Sequence, residues 1–146
     1  LALATPPASA DSLLRVIDGD SLVLKMNGHK TEIRLIGVDA PEHGQEWGDA
    51  ARDFVIDFLG DEPLEVRFGK ERTDRYGRTL AYVYTPNAML NLELVRQGFA
   101  LAYPVPPNLR HAELFERAQK AARKNGRGFW KQGGLRLTPR EYRKLH

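Results

Sequence analysis

Cysteine is absent from the 146 residues, which excludes disulfide frameworks, thiolate metal sites and cysteine nucleophiles together. Long apolar runs are absent too. None approaches the roughly 18 to 20 residues that a membrane-spanning helix requires, so no stable membrane insertion is expected of this chain. Internal repeats and low-complexity tracts are also missing. Acidic residues run out toward the C-terminus: residues 117–146 carry 10 basic side chains against 1 acidic, a net +9, whereas residues 1–116 carry 12 against 18, a net −6. The overall charge of +3 therefore hides a basic C-terminal segment. Such a segment suits attraction to a polyanion or simple solvation, and charge alone does not choose between them.

What is present, 42% hydrophobic and 28% charged side chains, describes one soluble globular domain with a real core, too short for two ordinary domains. Residues 1–10 are small and apolar and end in Ala8-Ser9-Ala10 before Asp11, which closes the segment taken as 1–11. They read as a signal-peptide remnant or an Ala/Pro linker, with a secreted or periplasmic location expected. The main domain is expected over residues 12–132. A basic tail over 133–146 follows, able to start a short helix at Thr138-Pro139 with Glu141.

Residues 13–18, 21–26 and 31–38 are rich in Val, Ile and Leu and are broken by Asp-Gly and Asn-Gly pairs, so they read as three strands. Ala51, Phe54, Val55, Phe58 and Leu59 fall at helical spacing within residues 48–59, and Gly60 suits the end of that helix. Two more strands are expected at 64–68 and 80–85, then helices at 89–97 and from about 109 to 124. Five short strands with a helix after the third fit an α+β protein. The leading expectation is a five-stranded OB-fold barrel, closed or partly open and capped by about three helices, and composition by itself does not distinguish it from another small α+β arrangement.

Asp18-Gly19-Asp20 lies between two strands, and Arg34 to Glu42 runs off the end of the third. Carboxylates are poor choices for an apolar interior, so Asp20, Asp39 and Glu42 need water, cationic partners or a metal. Each motif alone also reads as an ordinary turn or a structural salt bridge. Together with Asp74-Arg75-Tyr76-Gly77-Arg78-Thr79-Leu80-Ala81-Tyr82-Val83 and Leu94-Val95-Arg96-Gln97-Gly98, they resemble the staphylococcal nuclease (thermonuclease) family over roughly residues 14–130.

The resemblance implies an OB-fold barrel with helices and calcium-dependent hydrolysis of DNA and RNA to products with 3′-phosphates. It implies Asp20, Asp39 and the backbone carbonyl of Ala40 as calcium ligands, with Asp18 behind them. Calcium favours hard oxygens and retained waters, which this set would allow. Glu42 matches the family's general base, and Arg34 and Arg78 match the residues that grip the phosphate. Arg75, Tyr76 and Tyr103 match positions around a bound nucleotide. The expected partner is single-stranded or locally open DNA or RNA, met by a monomer.

The chain also departs from the family pattern. Ala40 replaces a common Thr, the stretch 43–48 is shorter than the family's lysine-rich loop, and Val105 stands where a second pocket Tyr is often found. His29, His43, His111 and His146 have no transition-metal spacing. The competing function class is a non-catalytic nucleic-acid-binding module, for which the full set of Asp20, Arg34, Asp39, Glu42 and Arg78 would have no use.

Overall fold

The computed structural model describes residues 8–10 and 12–146. The remnant-or-linker reading of residues 1–11 therefore lies mostly outside the described residues. Ala8–Ala10, within that stretch, forms strand β1. Strands β2 (Ser12–Asp18), β3 (Ser21–Met26) and β4 (His29–Leu35) follow as an antiparallel meander. Leu22, Leu24 and Met26 alternate into the core from β3, the period-two pattern of a strand with one buried face. Asn27 and Gly28 take the positive φ values, 52° and 78°, that their tight turn requires.

After β4 come the two-residue strand β5 (Val38–Asp39), helix α1 (Gly48–Leu59), and strands β6 (Leu64–Thr73) and β7 (Thr79–Tyr84). Helix α2 (Leu90–Arg96), strand β8 (Leu101–Ala102), helix α3 (Ala112–Lys124), a 3-10 turn (Gly128–Gln132) and helix α4 (Pro139–Leu145) complete the chain. Six strands form one mixed sheet in the order β1-β6-β7-β4-β3-β2, while β5 and β8 pair separately. The β4–β7 pair is parallel, with Ile33 opposite Thr79, so the segment holding α1 and β6 is the crossover.

The α+β class is observed, but the count of five strands and about three helices is corrected to eight strands and four α-helices among the described residues. Hydrogen bonding among those residues leaves the sheet with two ends, so it does not close a barrel. The extra strands escaped the sequence because β1 is an Ala-Ser-Ala run and β5 and β8 are too short to show a period. The strand expected over 31–38 breaks after Leu35. Gly37 turns the chain there at φ 78°, and a Cβ at this position would meet the Phe115 ring at 2.6 Å. This bend carries residues 38–42 away from β4 and back toward Asp20.

The core lies between the sheet and helices α1, α2 and α3. Leu24, Ile33, Val55, Val66, Leu94 and Phe115 are fully or almost fully buried there, and burial of each such side chain contributes about 1.5–3 kcal/mol. One polar group sits among them. Asn91, with no exposed surface, donates to the carbonyls of Ile36 and Ala81 at 2.9 and 3.3 Å and accepts from the Val83 amide at 3.1 Å, tying α2 to the bend after β4. Among the described residues no helix is long and apolar enough to cross a membrane.

Candidate active site

The turn between β2 and β3 is stitched to the bend after β4. The Asp20 carbonyl accepts from the Leu35 amide at 2.9 Å, and the Asp20 carboxylate accepts from the Ala40 amide at 2.7 Å. Arg34, at the end of β4, is fixed between them. Its Nη1 donates to the carbonyls of Leu35 and Val38 at 2.6 and 2.9 Å, and its Nη2 lies 3.6 Å from both Asp20 Oδ2 and Asp39 Oδ1. Two carboxylates distant in sequence thus share one guanidinium.

Glu42 stands on the loop before α1. Its amide donates to Gln45 Oε1 at 3.0 Å, its carbonyl accepts from the Gln45 amide at 3.0 Å, and Gln45 Nε2 in turn donates to the Leu137 carbonyl at 2.9 Å. Gly48 lets this loop close on the start of α1, since a Cβ there would lie 2.1 Å from the Glu42 carbonyl oxygen.

Arg78 arrives from the turn before β7, which the Asp74 carboxylate organises. That carboxylate accepts from the amides of Tyr76 and Arg78, both at 2.9 Å, and from Arg78 Nε at 2.8 Å. Burial works against the Asp74 charge, yet these hydrogen bonds hold its pKa below the ordinary 3.8. A depressed carboxylate contributes stability that is present above the unfolded value and is lost as pH falls through the folded one. Asp74→Asn is therefore expected to lower stability at neutral pH by about 1 kcal/mol, the scale of a charge-assisted hydrogen bond at a partly exposed site. The deficit should shrink in acid. Denaturant unfolding at several pH values checks this, and a deficit that persists unchanged below pH 3 would contradict it.

These elements enclose a cleft of about 630 Å³ whose walls include Asp18, Asp20, Arg34, Glu42, Tyr76 and Arg78. Tyr76 is 69% exposed at its rim, with the guanidinium groups of Arg75 and Arg78 4.9 and 5.6 Å from its ring centroid. Tyr103 does not line this cleft. It lines an adjoining cavity of about 470 Å³, together with Val105 and Pro107, that shares Arg34, Arg75, Tyr76 and Arg78 with the first. Asp39 is only 2% exposed and lies beneath Arg34 rather than on the cleft wall. Of the basic C-terminal residues, Arg143 alone reaches the wall of this cleft.

Arg143 is the residue that sequence reasoning missed. From α4, its Nη1 approaches Glu42 Oε1 at 2.5 Å and Asp39 Oδ1 at 3.3 Å. Burial opposes its charge, but Glu42 and Asp39 hold its pKa above the ordinary arginine range. The Thr138–Glu141 capping box that starts α4 was readable. Where a seven-residue helix docks was not.

The carboxylates around this site are crowded and partly buried. Burial and the charge of Asp20 push the Asp39 pKa up, against the opposing pull of Arg143 and Arg34. Burial, Asp20 and Glu42 likewise push Asp18 up, opposed by the His43 amide and ring. Carboxylates crowded at some cost to their charge offer hard oxygens to a divalent ion. Among the described residues, no group of three or more His, Asp or Glu side chains converges on one point. A site built on Asp20 and Asp39 would therefore rely on backbone oxygen and water for its other ligands, as a calcium site can.

Residues 32–132 match the family described as "Staphylococcal nuclease homologue". The thermonuclease of Staphylococcus intermedius is 39% identical over 124 residues, spanning 81% of this chain and 74% of that protein. The uncharacterized endonuclease of Haemophilus influenzae is 33% identical over 133 residues, 90% of this chain and 71% of its own length. The micrococcal nuclease of Shigella flexneri is 33% identical over 140 residues, 88% of this chain and 79% of its own. With Arg34, Asp39, Glu42 and Arg78 all inside the matched stretch, the chain belongs to the staphylococcal nuclease family and is a nuclease.

Proposed function

We propose that this nuclease hydrolyses phosphodiester bonds of single-stranded or locally open DNA and RNA in a calcium-dependent reaction that leaves 3′-phosphates. The observation that carries this reading is the shared contact of Asp20 and Asp39 with Arg34, beside a cleft that also holds Glu42 and Arg78. Asp20, Asp39 and the Ala40 carbonyl would hold the calcium, which when bound supplies a Lewis acid for a phosphoryl oxygen and for water.

The chain's own groups do the rest. Glu42 orders the attacking water and takes its proton, while Arg34 and Arg78 grip the phosphoryl oxygens and stabilise the charge that builds on them. Both guanidiniums are already anchored, Arg34 by two carbonyls and Arg78 by Asp74, so little side-chain freedom is lost when the phosphate arrives. Arg75 and Tyr76 would receive a terminal phosphate, and Tyr103 would flank the nucleotide in the adjoining cavity.

Action as a monomer is part of the proposal. The parallel β4–β7 pair inside an otherwise antiparallel sheet supports the OB-fold reading. Also proposed are a nuclease domain over 12–132 and a secreted or periplasmic location.

The test is cleavage of single-stranded DNA and RNA by the purified chain with calcium or with chelator, followed by end-group analysis of the products. Calcium-dependent cleavage to 3′-phosphates supports the reading. Binding of nucleic acid without cleavage would favour the non-catalytic module, and undiminished cleavage in chelator would remove calcium from the mechanism.

A further inference from the structure

Arg143 holds the two groups on which the proposed chemistry depends. One guanidinium nitrogen lies 2.5 Å from the Glu42 carboxylate and 3.3 Å from Asp39. A carboxylate whose lone pairs are engaged by a guanidinium at hydrogen-bonding distance is a poor acceptor for a proton from water. Asp39, covered to 2% exposure, presents no free face to an arriving cation. The positive charge that a metal would bring between these carboxylates is supplied here by a side chain.

The helix that delivers Arg143 is attached in a particular way. It has seven residues, only Pro139 among them is buried, and Leu145 is 69% exposed. Apolar packing in its docking is confined to Pro139 and the half-buried Tyr142, which lies against the loop at Gly44–Glu46. The chain leading into it is strapped to the Glu42 loop by polar contacts. Gln45 Nε2 donates to the Leu137 carbonyl at 2.9 Å, and the Arg136 amide donates to Glu46 Oε1 at 2.6 Å. Trp47 Nε1 donates to Gln132 Oε1 at 3.1 Å, and Gln132 Nε2 donates to Glu46 Oε2 at 3.2 Å. The strap keeps α4 close by when it is undocked, at high effective concentration, while α4 itself contributes the Arg143 ion pairs and the Tyr142 contact.

We infer that α4 is an autoinhibitory latch: Arg143 occupies the cation's place beside Asp39 and engages Glu42, and a divalent cation must displace it to arm the site. This rests on the metal reading above and adds to it a competitor carried by the chain. Docking of α4 and binding of the cation then oppose each other by the same factor, as linkage requires. Arg78 also pairs with a carboxylate, but its partner Asp74 is neither a proposed metal ligand nor the proposed base, whereas Arg143 pairs with both Asp39 and Glu42.

The test is calorimetric titration with calcium of the full chain and of its Arg143→Gln and Arg143→Lys variants, with hydrogen exchange of the α4 amides measured with and without calcium. Arg143→Gln is expected to bind calcium about tenfold more tightly, a coupling near 1.4 kcal/mol. Arg143→Lys should fall between it and the parent. Calcium should raise exchange in residues 140–145 of the parent chain. Equal calcium affinity in the parent and Arg143→Gln, or weaker binding in the variant, would overturn the latch while leaving the metal reading standing. If no form binds calcium, the metal reading fails and the latch with it.

Discussion

Asp39→Ala is expected to reduce calcium-dependent cleavage to background while leaving a folded chain. Asp39 is the more buried of the two proposed side-chain ligands, and Asp20 alone would hold a hard cation weakly. The fold should survive because the native carboxylate is itself an electrostatic burden when no metal is bound. Its pKa is raised by burial and by Asp20 above the ordinary 3.8. A raised carboxylate leaves the folded state holding its proton while the unfolded chain has already released it, so stability falls as pH rises from about 3.8 through the folded value. The parent chain should therefore lose this increment between acid and neutral pH in chelator, and Asp39→Ala should lose less. Thermal unfolding in chelator across that range, beside a cleavage assay in calcium, checks both halves. Substantial residual cleavage at saturating calcium would remove Asp39 from the metal site.

Glu42→Gln is expected to lower turnover by about 10² or more with a modest effect on substrate affinity, the usual scale for loss of a general base. Gln is close in size and can keep a hydrogen bond to Arg143 but cannot take a proton from water. The measurement belongs at saturating calcium, because the same substitution removes one of the two ion pairs that dock α4. Single-turnover rates and substrate affinity measured separately decide the matter. A loss expressed wholly as weaker binding would assign Glu42 to positioning, and an unchanged rate would leave another group as the base.

The parts of the fold and site that were legible in the sequence are those fixed by neighbours along the chain. Helix α1 was readable to its ends because its apolar spacing is unbroken and Gly60 follows it. The Asn27-Gly28 turn and the Asp74–Arg78 turn were readable because each depends on local φ values or on hydrogen bonds within a few residues. Asp20, Arg34, Glu42 and Arg78 do meet at one cleft, and that convergence was reached through the family resemblance rather than through periodicity.

What stayed hidden depends on contacts distant in sequence. β6 extends to Thr73 because its ladder resumes after an irregularity to pair Thr73 with Thr79, and the polar residues there carry no alternation to announce it. Asn91 reads as an ordinary helix residue until the bend after β4 supplies its partners. Arg143 is one basic residue among ten in its segment, and only the docking of α4 separates it from the others.

The parallel pairing of β4 with β7 bears on when a newly made chain becomes dangerous to nucleic acid. Ile33 and Thr79 meet only after the intervening chain has closed on itself, and such closure consumes chain entropy before any contact compensates for it. The β2–β3–β4 meander, with Asp20 and Arg34, needs no such closure and can form first. Arg78, just before β7, can join it only after that closure. During synthesis, a ribosome-bound fragment ending before residue 79 is thus expected to be inert however well its first hairpins fold. Cutting ability is expected only once β7 has paired with β4.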